Sequence, residues 1–179
     1  MLLDVQSYYK DYLSRTIEGE TIYANNYEQS DIRTWLNNEF YNTAFALNDT
    51  FVQETTVNNA SSTTDSNTNQ YTCGDTIDKV YLPSYQDYLN PTYGFDSNSD
   101  NLSSTRECKT TDYARAMGAW YNEGNSSASL KYNSTYWTRS PSSEYYYTAW
   151  IINSGGYLNT YAVDGDDHCV RPCISITFE

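Results

Sequence analysis

Residues 145–163 read YYYTAWIINSGGYLNTYAV, and this stretch decides the fold class. Residues 145–152 are aromatic and β-branched, residues 157–163 alternate in character with Leu158 on one face, and Asn-Ser-Gly-Gly stands between the two runs. Two such runs around a glycine-containing turn are typical of a β-hairpin. Residues 170–178, VRPCISITF, predict a further strand that tolerates a proline near its beginning. We therefore expect an antiparallel sheet in the last third of the chain.

Helices are predicted before this sheet, most clearly at residues 30–45, SDIRTWLNNEFYNTAF. Either of its first two residues, Ser30 or Asp31, can cap the helix. Its apolar face consists of four residues at helical spacing: Ile32, Trp35, Leu36 and Phe40. The opposite face mainly holds the polar residues Asn37, Asn38 and Glu39.

Two shorter helices are also predicted. One begins at Thr111 or Asp112 and ends near Gly118, and its inward residues are expected to be Tyr113, Ala114 and Met117. The other lies in PSYQDYLN, residues 83–90, and is stopped by Pro91. Helices followed by a hairpin-rich sheet predict an α+β fold. A length of 179 residues predicts one domain, residues 1–179, with long Ser/Thr/Asn-rich loops.

The charge balance excludes some classes of partner. The chain carries a formal net charge of −13 at pH 7, whereas nucleic-acid binding needs a cationic face. The same charge disfavours docking on anionic lipid. No apolar run approaches the roughly 20 residues that span a bilayer, and the first residues show no signal peptide.

The four cysteines are Cys73, Cys108, Cys169 and Cys173, and they match no zinc pattern. They allow two disulfides, in three possible pairings, or free thiols in a reducing compartment. Residues four apart in an extended strand are about 13 Å apart, so a bond between the last two cysteines requires a turn at Arg171-Pro172. A redox-active pair there remains the alternative to structural thiols.

Few residues favour an enzyme or a metal protein. His168 is the sole histidine, and we expect it to be a solvent-exposed turn residue rather than a general base. Asp164, Asp166 and Asp167 cluster in one turn, where calcium is an alternative to an ordinary polar turn. No nucleophile elbow or phosphate-binding glycine loop is present in the sequence. We expect no cofactor and no catalytic residue.

The strongest functional signal is the aromatic content of residues 142–168. Tyrosine and tryptophan among small polar residues are typical of protein surfaces that bind ligands. Three consecutive tyrosines cannot all point inward from a strand, because side chains alternate between its faces. We therefore expect exposed aromatic groups here, with aspartate and asparagine as adaptable contacts. The candidate ligand-binding residues are Tyr145, Tyr146, Tyr147, Trp150, Tyr157, Asn159, Tyr161, Asp164 and Asp166.

Two arginines, Arg139 in WTRSP and Arg171 in VRP, stand between apolar residues and a proline. Because a guanidinium presents five donors in a fixed geometry, we interpret both as buried hydrogen-bond hubs rather than ligand contacts. The other residues that we expect to be structural are Trp35, Trp137, Pro141 and Pro172.

Motifs spread along the chain resemble an uncharacterised domain family that is abundant in gut Firmicutes and their phages. The matching segments are SDIRTWLNNEFYNTAF, TTVNN, DKVYLPS, TDYARAMGA, WTRSP and VRP, in that order. Thr138 and Ser142 depart from the leucine and glycine that usual members have in W-L-R-S-P-G. The residues that match the scaffold are Trp137, Arg139, Ser140, Pro141, Val170, Arg171 and Pro172.

This resemblance implies a C-type-lectin-like fold, related to formylglycine-generating-enzyme-like domains. The same fold carries the hypervariable proteins of diversity-generating retroelements, in which a displayed C-terminal segment is diversified for ligand binding. Family members usually have strands before the segment that matches Met1 to Leu3, so we expect the chain to be truncated or its first sheet to be completed differently. Cys169 and Cys173 do not reproduce the spacing of the enzymes' cysteine pair, and no activity is transferred.

Together these observations predict a non-enzymatic module that displays residues 142–168 to a protein or glycan on a cell or virion surface. Two alternatives remain: a cysteine-dependent oxidase-like enzyme, and a structural component of a virion or cell surface.

Overall fold

A computed structural model describes residues 1–45 and 49–177 and shows a mixed α/β fold with more strand than helix. The helices within these residues are α1 (Asp31–Trp35), α2 (Tyr41–Phe45) and α3 (Asp112–Ala116). The strands are β1 (Arg15–Ile17), β2 (Glu20–Ile22), β3 (Val52–Gln53), β4 (Thr55–Val57), β5 (Thr76–Asp78), β6 (Val80–Tyr81), β7 (Tyr136–Pro141), β8 (Thr148–Ile152), β9 (Leu158–Ala162) and β10 (Cys173–Ile176). They pair as β1–β2, β4–β5, β3–β10–β6 and β7–β8–β9, and every pairing is antiparallel.

The predicted hairpin is confirmed, and it forms β8 and β9. Thr148 pairs with Ala162 at one end and Ile152 with Leu158 at the other. The turn between the strands is stabilised by Asn153, whose side-chain oxygen accepts hydrogen bonds from the backbone of Gly155 and Tyr157, each at 3.0 Å. An asparagine side chain that bonds its own following backbone is a common way to form a tight turn.

The prediction that residues 145–147 belong to the strand is wrong. β8 begins at Thr148, and the three tyrosines lie in the turn before it. The backbone carbonyl of Tyr145 accepts from the N–H of Thr148 at 3.2 Å, and that of Tyr146 accepts from the N–H of Asn25 at 3.0 Å. Because these carbonyls are bound locally or by another segment, no strand ladder forms there.

The sheet β7–β8–β9 has a core on each face. Because side chains alternate along a strand, Ala149 and Ile151 of β8 join one buried cluster, and Ile152 joins the other. Trp137 lies fully buried in the first cluster and donates its indole N–H to the carbonyl of Gln6 at 2.9 Å. Pro141, at the end of β7, is also buried. Both residues are therefore buried, as the structural roles predicted for them require.

The first predicted helix is confirmed, as α1 and α2 joined by a π-helical turn at Leu36–Phe40. Ser30 caps it, and its hydroxyl oxygen accepts from the N–H of Arg33 at 3.2 Å. The apolar face contacts the first core as predicted: Ile32 and Leu36 are fully buried, and Trp35 and Phe40 pack against them.

The prediction that Asn37 lies on the polar face, away from the core, is wrong. Its amide donates to the carbonyl of Val80 at 2.9 Å, and its oxygen accepts from the N–H groups of Lys79 and Val80 at 2.9 and 3.1 Å. These bonds tie the π-helical turn to β6, so Asn37 faces the sheet rather than solvent.

The second predicted helix starts where expected and buries less than expected. Thr111 caps α3, with its hydroxyl oxygen accepting from the N–H of Ala114 at 3.0 Å, and Gly118 follows the helix with φ of +102°. Only Ala114 of the three predicted inward residues is buried, whereas Tyr113 is 57% and Met117 54% exposed. The helix has five residues, little more than one turn, so it presents just one residue to the core.

The remaining predicted elements are shorter than their sequence patterns suggest. Residues 83–90 contain the 3₁₀ turn Asp87–Leu89, and Pro91 begins a second 3₁₀ turn, Pro91–Tyr93, instead of ending regular structure. β10 covers only Cys173–Ile176 of the predicted strand at residues 170–178, and Phe178 lies outside the described residues. Across residues 1–45 and 49–177, no helix has the length and apolarity needed to span a bilayer.

Candidate functional site

Tyrosines from three separate segments meet on one surface, and we call Tyr23, Tyr71, Tyr145, Tyr146 and Tyr147 the tyrosine cluster. The ring centroids of Tyr145 and Tyr147 are 5.5 Å apart, and those of Tyr146 and Tyr147 are 5.1 Å apart. Tyr23 connects to Tyr146 at 6.3 Å and to Tyr71 at 4.9 Å. These separations are those of interacting aromatic pairs, so the five rings form one connected layer.

The tyrosine cluster is partly anchored in the core and partly open to solvent. Tyr145 is 52% exposed, whereas Tyr146 and Tyr147 are half-buried and pack against the first core. Tyr23 and Tyr71 are also half-buried. A ring that is anchored on one side and open on the other loses little conformational entropy when it binds a partner.

Asn25 fixes the loop that carries Tyr145, Tyr146 and Tyr147. It is fully buried, and its side-chain amide donates to the backbone carbonyls of Tyr145 and Thr148, each at 3.0 Å. Its backbone N–H donates to the carbonyl of Tyr146 at 3.0 Å. Within the loop, the N–H of Ser142 donates to the carbonyl of Thr148, also at 3.0 Å. Buried hydrogen bonds at both ends therefore hold the loop in one conformation.

Two further side-chain hydrogen bonds hold the start of this loop. Ser143 donates its hydroxyl to the carboxylate of Asp65. The side-chain amide of Asn69 donates to the carbonyl of Pro141 at 3.0 Å. Residues 65–69 belong to a serine- and threonine-rich loop, so that loop supports the tyrosine cluster from the side.

The turn that contains Asp164, Asp166 and Asp167 lies beside the tyrosine cluster. The N–H of Val163 donates to the carbonyl of Tyr147 at 3.0 Å, which places Asp164 next to the tyrosine loop. Asp164 and Asp166 are exposed, as the binding hypothesis requires. Among the residues that the structure describes, no group of three or more histidine, cysteine, aspartate or glutamate residues is placed to hold a metal ion.

The structure does not bring three of the predicted contact residues to this surface. Trp150 is half-buried on the other face of the sheet, where its ring packs 4.6 Å from that of Tyr85. Tyr157 and Asn159 lie at the turn end of the hairpin, next to the Ile152–Leu158 pair. The tyrosine loop adjoins the opposite end, about 13 Å away along a strand of five residues.

His168 is buried, not solvent-exposed as we expected from its place in a polar turn. Its ring lies 4.8 Å from that of Trp137 and 4.3 Å from that of Tyr161, which is itself 47% exposed. Nδ1 lies 2.7 Å from the hydroxyl of Thr135 and 3.2 Å from the carboxylate of Asp167. Burial lowers the pKa of His168 to about 4, although Asp167 and Asp166 act in the opposite direction. The imidazole is therefore neutral at pH 7.

The four cysteines are free thiols, so the alternative of two disulfides is wrong for this structure. Cys169 is fully buried in the second core, and burial raises its pKa to about 11. Burial also raises the pKa of Cys73 to about 11 and that of Cys173 above its ordinary value. A thiol rather than a thiolate is a poor nucleophile, so these groups are unreactive at neutral pH.

The two predicted arginine hubs differ from each other. Arg139 is a hub as predicted: its guanidinium donates to the carbonyls of Leu82 and Asn58 and pairs with Asp87 at 2.8 Å. Arg171, which follows the buried Val170 and precedes the half-buried Pro172, is only half-buried, and its side chain donates to the hydroxyl of Tyr136 alone among the described residues.

Sequence reasoning missed a more extensive hub, Arg106, and two members of the tyrosine cluster. Arg106 is fully buried and donates to backbone carbonyls of five residues: Tyr88, Asp96, Asn98, Asn101 and Gly156. Tyr23 and Tyr71 lie in segments with no aromatic pattern. The contacts of Tyr23 with Tyr146 and with Tyr71 depend on chain packing, and no local signal in the sequence could have identified them.

Comparison with known proteins gives one match. The family described as Domain of unknown function (DUF6273) matches residues 7–178, nearly the whole chain. No curated protein and no solved structure matches the chain. Because the family match covers far more than half of the sequence, the chain belongs to the family described as Domain of unknown function (DUF6273).

Proposed function

We propose that the chain is a non-enzymatic binding module whose contact surface is the tyrosine cluster together with the adjacent Asp164 and Asp166. One observation carries this proposal: five connected tyrosine rings stand on a surface whose loop is fixed by buried hydrogen bonds from Asn25. A surface that is already ordered before binding avoids much of the entropy cost of association. Tyrosine is also among the residues that contribute most to binding energy at interfaces.

The ligand that this surface fits is a protein or a glycan on a cell or virion surface. Aromatic faces stack on apolar surfaces and on sugar rings, and the phenol hydroxyls supply polar contacts. The neighbouring carboxylates and the net charge of −13 favour a neutral or basic ligand over an anionic one.

The state of the cysteines supports binding over the oxidase-like alternative. An oxidase of that type requires a reactive thiolate, whereas burial raises the pKa values of Cys73, Cys169 and Cys173. Cys169 is also fully buried within the second core, away from any substrate.

We further propose that the fold is C-type-lectin-like and that the module is a variable protein of the retroelement type. The support is the sheet β7–β8–β9, which follows α1, α2 and α3 in the chain, and the position of the motif residues 137–141 in β7 at the base of the tyrosine loop. The DNA around the gene tests the second part. A reverse transcriptase gene and a near-copy of the C-terminal coding region that differs at adenines are expected, and an absence of both contradicts it.

Binding arrays test the main proposal. Wild-type chain is applied to a glycan array and to an array of bacterial surface proteins, beside a variant carrying Tyr145→Ala, Tyr146→Ala and Tyr147→Ala. The matched control is Tyr12→Ala, which removes a 53% exposed tyrosine outside the tyrosine cluster. We expect specific binding that the triple variant loses and the control retains. Equal binding by the triple variant contradicts the proposal, and uniform self-association of the wild type supports a structural component instead.

A further inference from the structure

Apart from the tyrosine cluster, the molecule has a concave site between β6, β10 and the two 3₁₀ turns at Asp87–Leu89 and Pro91–Tyr93. It is a cleft of about 370 Å³, within the range typical of small-molecule sites. Four of its nine lining residues are aromatic: Tyr81, Tyr88, Tyr93 and Phe95. None of them belongs to the tyrosine cluster, so the cleft is independent of the proposed binding surface.

Arg171 gives this cleft a positive charge without a carboxylate partner. Its guanidinium lies 5.8 Å from the ring centre of Phe95 and 5.6 Å from that of Tyr136, and it donates one hydrogen bond, to the Tyr136 hydroxyl at 3.1 Å. No ion pair to Arg171 is present within the described residues, whereas Arg33 pairs with Asp78 and Arg139 with Asp87. Most of its five donors therefore remain available to a ligand.

The hydroxyl of Tyr88 is a second unsatisfied donor in the same cleft. Tyr88 is fully buried, lines the cleft, and its phenol oxygen has no hydrogen-bond partner among residues 1–45 and 49–177. Burial, together with the neighbouring Tyr136, raises its pKa well above the ordinary value, and Arg171 and Cys173 also affect it electrostatically. Its hydroxyl therefore keeps its proton and is a donor. A buried polar group without a partner in a native structure calls for an explanation, and among the unpartnered atoms of the described residues only that of Tyr88 belongs to a residue that lines this cleft.

The other polar groups in the cleft do not oppose an anion. Asp87 contributes a carboxylate, but its oxygen accepts from the Arg139 guanidinium at 2.8 Å and from the N–H of Ser84 at 2.7 Å. Burial raises the pKa of Cys173, so its side chain is a neutral thiol at pH 7. The remaining uncompensated charge at the cleft is the guanidinium of Arg171.

We propose that this cleft binds a small organic monocarboxylate with a flat apolar body. The carboxylate accepts from the guanidinium of Arg171 and from the hydroxyl of Tyr88, and the apolar body lies against the rings of Phe95 and Tyr93. A planar guanidinium matches the geometry of a carboxylate. Aromatic walls favour an aromatic or branched apolar body over a strongly hydrated ion such as inorganic phosphate.

Calorimetric titration of the full chain with a small panel tests this proposal. The panel contains benzoate, phenylacetate and indole-3-acetate, with phenylacetamide as the neutral counterpart of phenylacetate. We expect at least one of the three acids to bind with a stoichiometry of one, and phenylacetate to bind about tenfold or more tightly than phenylacetamide, since a hydrogen bond to a charged group carries that much affinity. If none of the acids binds, or if acid and amide bind equally, the proposal is overturned.

Two variants assign the binding to this cleft. Tyr88→Phe removes only the unpartnered hydroxyl, so its melting temperature should equal or exceed that of the wild type while the acid binds about tenfold more weakly. Arg171→Gln should abolish binding, and Arg15→Gln, which removes a half-buried arginine outside the cleft, should leave it unchanged. An unchanged affinity in Tyr88→Phe contradicts the proposal even if Arg171→Gln fails to fold.

Titration with a peptide distinguishes the two possible sources of such a carboxylate, a free small acid and the carboxyl terminus of a protein. A tripeptide that ends in phenylalanine presents the same chemistry as phenylacetate but needs an open side to the cleft. We expect the free acid to bind and the tripeptide with a free carboxyl terminus to bind more weakly. Tighter binding of the tripeptide than of any small acid contradicts a small-molecule site and indicates recognition of a protein C-terminus.

Discussion

Asn25 donates its side-chain amide to the backbone carbonyl of Tyr145 at 3.0 Å, although 120 residues separate them in the chain. The same amide donates to the carbonyl of Thr148, where β8 begins. One buried side chain thus ends the strand and orients the three consecutive tyrosines that precede it. The proposed binding surface depends on this contact as much as on the tyrosines themselves.

Replacement of Asn25 tests that dependence. Asn25→Ala removes one donor each from the carbonyls of Tyr145 and Thr148, which keep the N–H groups of Thr148 and Ser142 as partners. Because a hydrogen bond contributes about 0.5–1.5 kcal/mol net, we expect a loss in the free energy of unfolding of about 1–3 kcal/mol. Urea denaturation measures it. The control is Asn38→Ala, which removes an exposed asparagine whose side chain donates to the carbonyl of Thr34, and which should cost less than about 1 kcal/mol. Equal effects of the two variants contradict the role of Asn25.

Gly156 is required by the hairpin turn. Its φ is +75°, and a Cβ atom there would lie 1.9 Å from the carbonyl oxygen of Ser103. We therefore expect Gly156→Ala to lower the free energy of unfolding by more than about 2 kcal/mol, from backbone strain and steric overlap together. In Gly74→Ala the added Cβ meets nothing within 4 Å, and we expect a change within about 0.5 kcal/mol. Thermal unfolding of both variants measures the two effects. If Gly156→Ala were as mild as Gly74→Ala, the turn conformation described for Gly156 would be contradicted.

His168 makes stability depend on pH in a defined window. Its pKa is about 4 in the folded chain against an ordinary value of 6.5, so between these values the unfolded chain binds the extra proton. The free energy of unfolding therefore falls as pH drops from about 6.5 to 4, by up to about 3 kcal/mol from this group. As the sole histidine, it gives one set of imidazole resonances by NMR, and these should titrate near pH 4. A midpoint at or above 6.5 contradicts the buried position, and His168→Gln should flatten the pH dependence.

The thiols should be slow to react in the folded chain. Because the pKa values of Cys73 and Cys169 are raised to about 11, few thiolates exist at pH 8, and iodoacetamide should modify neither within the time that alkylates all four cysteines in urea. Mass spectrometry of the digested chain counts the modified sites. Rapid modification of Cys169 or Cys173 at pH 7 would favour the oxidase-like alternative.

The sequence was sufficient where local rules decide the structure. The helix at residues 30–45 has a capping serine and an apolar face at helical spacing, and both are visible in the sequence. The turn at residues 153–156 is formed by its own asparagine and glycines. The start of the next helix at Thr111 or Asp112 was predicted for the same reason, and Thr111 is its cap.

The sequence was insufficient where distant residues decide. Tyr145, Tyr146 and Tyr147 have the composition of a strand, yet the buried Asn25 binds the carbonyls of the first two and holds the segment in a turn. His168 stands in a polar turn, but the rings of Trp137 and Tyr161 enclose it. Tyr23 and Tyr71 reach the tyrosine cluster only through the packing of three segments.

Affinity measurement on two single variants tests the central claim most directly, for whichever array ligand binds the wild type. Tyr23 lies outside residues 142–168 but inside the tyrosine cluster, whereas Tyr157 lies within that segment but at the far end of the hairpin. We expect Tyr23→Ala to weaken binding by about 2 kcal/mol, roughly 30-fold, and Tyr157→Ala to leave it unchanged. A large loss in Tyr157→Ala with none in Tyr23→Ala would contradict the tyrosine cluster as the contact surface.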